Sequence, residues 1–215
     1  YIHLVKVIRL KIGDEISLFN NTSGEWKCEI VDIKNNFLKA KAISQISSPR
    51  SEALIDLMFS PIKYQNSEAI IRQATEMGVR SLFPTTFKRT INKKINLDKF
   101  NAYALGATQQ SGRLSIPKID KLNDLKSRSD ILSDKTVLMF DENLEGIHLS
   151  QAKIKSNDEI LVIIGPEGGF EEEERAFISN ASKNFLNVSL GHNILKADTA
   201  VIAALSLTFH YFNEN

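Results

Sequence analysis

A glycine-rich segment that follows an apolar run contains the residues best suited to hold a ligand. The run Ile160–Ile164 is followed by Gly165-Pro166-Glu167-Gly168-Gly169. In open α/β sheets ligands bind at the carboxyl ends of strands, and glycines let the backbone approach a ligand closely. A plain turn between a strand and a helix needs only one glycine, so three glycines with a proline favour a binding loop.

The residues around this loop also exclude several chemistries. The run Glu171 to Glu174 is typical of a first helical turn, where acidic side chains complement the helix dipole. Those carboxylates would repel a phosphate, and the sequence has neither a P-loop nor a dinucleotide-binding fingerprint. With one cysteine, Cys28, and four widely separated histidines, we expect no disulfide and no metal site.

A second candidate segment, residues 190–200, reads Leu-Gly-His-Asn-Ile-Leu-Lys-Ala-Asp-Thr-Ala and precedes an apolar C-terminal stretch. Asp198 or Thr199 is predicted to cap the last helix, which is a sufficient structural reason for either residue. The apolar pair Ile194-Leu195 stands within a polar turn and has no such local reason. Its side chains are suited to wall an adenine pocket.

Positive charge is concentrated between residues 80 and 94, although the net charge is only +1, from 27 basic and 26 acidic residues. This segment has no acidic residue and also carries Phe83 and Phe87. Its basic residues are Arg80, Lys88, Arg89, Lys93 and Lys94. Such a cluster suits an RNA backbone with stacked bases, whereas a solvated loop is the alternative, and charge alone does not decide between them.

Period-two alternation predicts strands in the first fifty residues. Apolar residues alternate with charged ones in two stretches: Trp26, Cys28 and Ile30, then Leu38, Ala40 and Ala42. A turn over residues 20–24 separates two of the strands, which is typical of a small antiparallel barrel. Turn-forming residues at 47–51 end this pattern, so we predict one domain over residues 1–48 and a second over 49–215.

In the second domain strands alternate with helices, which predicts an α/β fold with a mostly parallel sheet and helices on both faces. The predicted strands are Ala53–Phe59, Val79–Phe83, Val137–Phe140 and Ile160–Ile164. The predicted helices are one capped by Ser67 and ended by Gly78, one over Leu97–Ser111, and a last one with Val201, Leu205, Phe209 and Phe212 on one stripe. No apolar run approaches the roughly 20 residues that span a bilayer, so we expect a cytoplasmic protein without membrane contact.

Taken in order, these segments resemble the RsmE family, the 16S ribosomal RNA uracil-N3 methyltransferases of the SPOUT superfamily, which use S-adenosylmethionine. The loop 165–169 matches the family's Gly-Pro-Glu-Gly-Gly signature as it stands. Residues 190–200 are similar to its Leu-Gly-x-Arg-Ile-Leu-Arg-x-Glu-Thr-Ala signature, from which Asn193, Lys196 and Asp198 depart. Weaker similarities are Glu76–Val79 with Pro84 and Arg89, Gln110–Arg113 with Pro117, and Val7–Leu10 with Gly13-Asp14.

The resemblance implies a trefoil-knotted parallel sheet preceded by a PUA-like barrel, and a homodimer through the knot that buries Phe209 and Phe212. It implies S-adenosylmethionine bound among the loops after Phe140, after Ile164 and around Ile194. The implied cofactor-binding residues are Leu138, Phe140, Ile164, Gly165, Pro166, Glu167, Gly168, Gly169, Leu190, Gly191, Ile194, Leu195 and Thr199. The implied partner is 16S ribosomal RNA in the small subunit, contacted by Arg9, Arg80, Lys88, Arg89, Lys93, Lys94, Arg113 and Lys196.

Methylation of uracil N3 makes its own chemical demands. The N3 imide proton must be removed, or the negative charge developing on O2 and O4 must be stabilised by arginines or backbone N–H groups. Arg113 and Arg9 are candidates for that stabilisation, and Asp198 is a candidate base whose pKa would have to be raised. N3 lies on the Watson–Crick edge, so the target base must be unpaired.

Two other functions stay open. One is a SPOUT methyltransferase that acts on a different RNA position, such as a ribose hydroxyl. The other is a non-catalytic RNA-binding or ribosome-assembly protein, which is compatible with Asn193 and with Lys196, since lysine lacks the bidentate fork of arginine. Binding of S-adenosylmethionine separates this last function from the two enzymes.

Overall fold

The computed structural model describes residues 5, 8–34, 37–62, 64–141, 146–155 and 157–214. They form two compact units, Tyr1–Ser51 and Glu52–Asn215. Two parts of the predictions lie outside the described residues, namely Val7 of the first motif and residues 142–145 of the loop after Phe140.

The first unit contains an antiparallel sheet in the order β1 (Glu15–Asn20), β2 (Gly24–Lys34), β3 (Phe37–Ser47). Cys28 and Ile30 are buried, which confirms the predicted alternation in β2. Gly24 has φ +79°, and a Cβ there would lie 2.1 Å from the Ser47 carbonyl oxygen, so only glycine fits.

The second unit is built on a seven-stranded sheet in which every paired strand is parallel. Its strands are β4 (Ile55–Phe59), β5 (Ser81–Thr86), β6 (Lys118–Ile119), β7 (Asn123–Asp124), β8 (Thr136–Phe140), β9 (Ile160–Ile164) and β10 (Asn184–Asn187). The spatial order is β10-β8-β9-β4-β5-β6, and β7 also pairs with β5. The helices are α1 (Tyr64–Met77), α2 (Leu97–Ser111), α3 (Ser129–Ser133), α4 (Glu172–Ala181) and α5 (Ala197–Glu214), with short 3-10 helices at Lys126–Arg128 and Leu149–Gln151. This architecture confirms the predicted α/β class.

The predicted boundaries are right for α2 and β9 and wrong where tertiary contacts decide them. The Asn96 side chain caps α2 by accepting a hydrogen bond from the Lys99 N–H. Ser67, in contrast, does not cap α1, which begins three residues earlier; its buried hydroxyl accepts from the Ile62 N–H and donates to the Ile62 carbonyl. Because α5 begins at Ala197, Asp198 lies inside its first turn and is not its cap.

Strands β4, β8 and β9 are fully buried because helices cover both faces of the sheet. Alternate side chains enter two cores, one packed with α1, α2 and α5, and one with α4. The register aligns Phe59 and Phe140 with Ile164, the last residues of three neighbouring strands. The loops that follow these strands are therefore neighbours at one edge of the sheet.

An ion-pair network occupies the opposite edge, where the same strands begin. The buried Asp56 carboxylate accepts from Arg80 Nε and Nη2 at 3.0 and 2.7 Å and pairs with Lys135 Nζ at 2.9 Å. Glu159 also pairs with both cations, at 2.6 and 2.7 Å. Hydrogen bonds from Arg80 and then Lys135 lower the pKa of Glu159 to about 2, and the bond to Asp56 raises the pKa of Arg80. Arg80 thus links Asp56, near the start of β4, to Glu159, which directly precedes β9.

Helix α5 packs its predicted stripe against the larger core. Val201 and Leu205 are fully buried there, which confirms the stripe. Phe209 and Phe212 are half-buried against the same core, and the homodimer that the resemblance implies for them stays a prediction. The 3.6-residue period aligns them with the residues of the stripe that face the chain's own sheet.

Within the described residues, no helix is both long and apolar enough to cross a membrane. No cluster of three or more histidine, cysteine, aspartate or glutamate side chains in that part of the chain could hold a metal ion.

Candidate functional site

A cavity of about 350 Å³ lies at the carboxyl edge of the sheet, where β8, β9 and β10 end. Its lining includes eleven residues singled out in the sequence: Phe140, Ile164, Gly165, Pro166, Glu167, Gly169, Leu190, Gly191, Ile194, Leu195 and Lys196. It also includes Asp141, Phe170, Val188, Ser189, Asn193, Ala197 and Ala200. The fold therefore brings the two candidate segments, which are far apart in the chain, into the lining of one cavity.

The glycine loop forms the first wall, and its path is set by Phe170. A Cβ on Gly165 would lie 2.6 Å from two ring atoms of Phe170. That ring is buried and packs edge-on against Phe87, with ring centroids 5.2 Å apart. Within the loop the Gly169 N–H donates to the Pro166 carbonyl at 2.9 Å, which closes a tight turn.

The segment after β10 forms the second wall. Strand β10 lies beside β8, and the Val188 N–H donates to the Met139 carbonyl at 2.9 Å, so residues 188–196 leave the sheet next to the glycine loop. Ile194 is 79% exposed, so its apolar side chain is available to a ligand. Sequence patterning missed β10 because its four residues, Asn184–Asn187, carry only two apolar side chains.

Three predicted cofactor-binding residues do not line the cavity. Leu138 is fully buried in β8, with its side chain in the larger core. Gly168 faces Arg89, and Thr199 is exposed in the first turn of α5. Asp198, the candidate base, is half-buried beside Thr199 and is also not among the lining residues.

An ion pair that the sequence did not predict joins the end of β8 to α4 beside the cavity. Asp141 directly follows β8, and its buried carboxylate accepts from Arg175 Nε of α4 at 2.5 Å. This hydrogen bond raises the pKa of Arg175, which also pairs with Glu172. The start of the loop after β8 is therefore anchored to α4, whose N-terminus continues from the glycine loop.

The predicted basic cluster is divided by the fold. Lys88, Arg89, Lys93 and Lys94 are exposed on the loop between β5 and α2, which lies at the same sheet edge as the cavity. Arg80 lies at the opposite edge, within the ion-pair network with Asp56 and Glu159. Arg9 is exposed in the first unit with φ 64°.

Arg113 has a structural task in this chain. Its Nη1 donates to the carbonyls of Thr75 and Val79, both at 2.9 Å, and its Nη2 contacts Glu52 and Ser115. The side chain is only 13% exposed. Burial lowers the pKa of Arg113, and the Glu52 carboxylate opposes that shift. Arg113 thus holds the C-terminus of α1 and does not line the cavity.

We expect Arg113→Ala to lower the free energy of unfolding by roughly 2 to 3 kcal/mol, because the carbonyls of Thr75 in α1 and of Val79 beyond it lose a charged donor. Arg113→Lys should recover only part of this loss, since one ammonium group cannot span the carbonyls and Glu52. Urea unfolding followed by circular dichroism measures both values. An unchanged urea midpoint for Arg113→Ala would show that Arg113 does not stabilise the end of α1.

Comparison with known proteins identifies relatives over nearly the whole chain. A family model described as an RNA methyltransferase domain matches residues 49–208, and one described as an RNA methyltransferase PUA domain matches residues 2–43. The chain is 33% identical over 211 residues to ribosomal RNA small subunit methyltransferase E of Rickettsia conorii, covering 96% of this chain and 85% of the relative. It is 32% identical over 216 residues to ribosomal RNA small subunit methyltransferase E 2 of Borreliella burgdorferi, covering 96% and 86%.

Solved structures agree in fold. A ribosomal RNA small subunit methyltransferase E from Neisseria gonorrhoeae, bound to S-adenosyl methionine, matches with a TM-score of 0.84 and 22% identity, over 98% of this chain and 88% of that one. A Legionella pneumophila structure with bound SAM matches with a TM-score of 0.79 and 25% identity, over 97% and 88%. These likenesses confirm the predicted SPOUT-type fold with a PUA-like domain. The chain therefore belongs to the RNA methyltransferase family and, within it, to the family of ribosomal RNA small subunit methyltransferase E.

Proposed function

We propose that this protein transfers the methyl group of S-adenosylmethionine to N3 of a uridine in 16S ribosomal RNA of the small ribosomal subunit. The observation that carries the proposal is the cavity at the carboxyl edge, whose two walls are the two segments that resemble the family's signatures. Both segments meet there in a chain that belongs to the same family.

The cavity fits the proposed cofactor in size and in chemistry. Ligand pockets are typically some hundreds of Å³, apolar, and furnished with a few polar groups. Here Ile164, Ile194 and Leu195 supply apolar surface suited to an adenine ring, and Gly165 and Gly191 leave backbone groups accessible to its polar edge. When bound, S-adenosylmethionine supplies an electrophilic methyl group on its sulfonium.

We propose that the RNA lies over the loop between β5 and α2 and reaches the mouth of the cavity. Lys88, Lys93 and Lys94 offer exposed charge to the phosphate backbone on that loop. Lys196 lines the cavity, so its ammonium group is available to a phosphate or to the negative charge that develops on the uracil. Participation of Arg9, Arg113 or Asp198 in the reaction stays a prediction.

The remaining expectations of the family resemblance belong to the same proposal. We expect the protein to act as a homodimer through a trefoil knot and in the cytoplasm, where ribosomal subunits are assembled.

The proposal is tested in two steps on the purified chain. Isothermal titration with S-adenosylmethionine should give saturable binding of one cofactor per chain. Small subunits that lack the modification should then incorporate methyl groups, and primer extension should stop at one uridine. N3 methylation blocks the Watson–Crick edge and stops reverse transcriptase, whereas ribose methylation leaves that edge free.

Each alternative has its own outcome. Methyl incorporation without a strong primer-extension stop would indicate the ribose-modifying enzyme. RNA binding without any binding of S-adenosylmethionine would contradict the enzyme and favour the non-catalytic RNA-binding protein.

A further inference from the structure

The Arg89 side chain is directed at the glycine loop. Its Nη1 donates to the Gly168 carbonyl at 2.6 Å, and its Nε donates to Glu171 Oε1 at 2.9 Å. A Cβ on Gly168 would lie 3.3 Å from both Cβ and Cδ of Arg89, so the arginine stem lies against the glycine. One side chain thus contacts the loop at its backbone and at the residue where α4 is capped.

The segment that carries Arg89 is held in place by neighbouring loops. The buried Thr90 hydroxyl accepts from the Phe87 N–H at 2.8 Å and shares a hydrogen bond of 2.8 Å with the Ser60 hydroxyl. The Lys88 N–H donates to Glu174 Oε1 at 2.7 Å. The backbone around Arg89 is therefore held by hydrogen bonds to its surroundings. This restraint fixes the position from which the Arg89 side chain reaches Gly168.

Side chains restrain the loop 165–169 little, apart from the Phe170 ring against Gly165. Three of its five residues are glycines, which lose the most conformational entropy on ordering and have no side chain to pack. Glu171 belongs to a reciprocal capping box with Glu174, so a bond from Arg89 joins the loop to a helix end that is already ordered. Charge-assisted hydrogen bonds of this kind are stronger than neutral ones.

We infer that Arg89 is a positioning residue that holds the loop 165–169 in the conformation that binds the cofactor. It acts through the Gly168 carbonyl and does not serve mainly as a contact to RNA. This inference rests on the proposed function of the cavity, because it takes the ligand of the loop to be S-adenosylmethionine.

Two measurements on Arg89→Ala and Arg89→Lys test the inference. In isothermal titration, Arg89→Ala should bind S-adenosylmethionine about tenfold more weakly, equivalent to about 1.4 kcal/mol. Arg89→Lys should lie between this variant and the wild type, because one ammonium group cannot serve both acceptors. In hydrogen–deuterium exchange without cofactor, the amides of Gly169 and Glu171 should exchange faster in Arg89→Ala.

Matched variants separate the positioning task from general effects. Arg72→Ala removes an arginine of similar exposure, 47% against 48%, that pairs with Glu68 on α1, and it should change neither measurement. Glu171→Gln keeps an oxygen for the helix cap but loses the charge that faces Arg89, so it should weaken cofactor binding less than Arg89→Ala does. It also tests the contact if Arg89→Ala fails to fold.

Two results would overturn the inference. One is unchanged amide exchange in Arg89→Ala; the other is unchanged cofactor affinity in that variant. If the wild type binds no S-adenosylmethionine, the proposed function fails, and amide exchange alone still decides whether Arg89 orders the loop.

Discussion

Gly165→Val is expected to weaken the binding of S-adenosylmethionine by about a hundredfold, an overpacking cost of nearly 3 kcal/mol. Any side chain at this position begins with a Cβ that would lie 2.6 Å from the Phe170 ring. That ring cannot move away easily, because it is buried and packed against Phe87. The loop must shift instead, and with it the wall of the cavity. Isothermal titration of the folded variant measures the effect.

Gly106→Ala is the matched control for this substitution. Gly106 lies within α2, and a Cβ there would have no heavy atom within 4 Å other than those of its neighbours and of the helix backbone. Replacing a helical glycine by alanine in open space should stabilise the chain by up to about 1 kcal/mol and leave cofactor binding unchanged. Equal cofactor affinity in Gly165→Val and the wild type would show that the glycine loop does not form the binding wall.

Asp56→Ala is expected to lower the free energy of unfolding by about 3 to 5 kcal/mol, the usual cost of removing one partner of a buried ion pair. The Asp56 side chain is 1% exposed and receives both Arg80 and Lys135. Its removal leaves these two cations facing one another, with Glu159 as their remaining acid. Since a domain of this size is stable by roughly 5 to 15 kcal/mol, the loss should be large in urea or thermal unfolding.

Glu68→Ala provides the comparison for an exposed pair. Glu68 and Arg72 lie one turn apart on the surface of α1, where such a pair contributes about 0.3 to 0.5 kcal/mol. Because Asp56 lies at the sheet edge opposite the cavity, folded Asp56→Ala should keep the cofactor affinity of the wild type. If Asp56→Ala lowered the free energy of unfolding no more than Glu68→Ala does, the ion-pair network would not stabilise the fold.

The local pattern of the sequence determined the elements that need no distant partner. A buried strand over Ile160–Ile164, a glycine loop after it and a helix over Leu97–Ser111 are all encoded by neighbouring residues, through apolar runs, turn formers and a cap. The two signature segments also stood out by composition alone. Their resemblance to one family predicted the fold, which the comparisons confirm, and it is the basis of the function proposed for the cavity.

Tertiary structure decided which residues meet. Arg89 contacts a carbonyl 79 positions away, and Asp141 pairs with Arg175 34 positions away, distances along the chain that no periodic pattern reports. Strand β10 was too short and too polar to predict, yet its place beside β8 brings residues 188–196 to the cavity. The family resemblance implied RNA contacts for Arg80 and Arg113, and the sequence did not report the acceptors within the chain that both side chains contact. The physical reason is that the type of a side chain limits the partners it can accept, whereas only strand order and loop path decide which partner lies within reach.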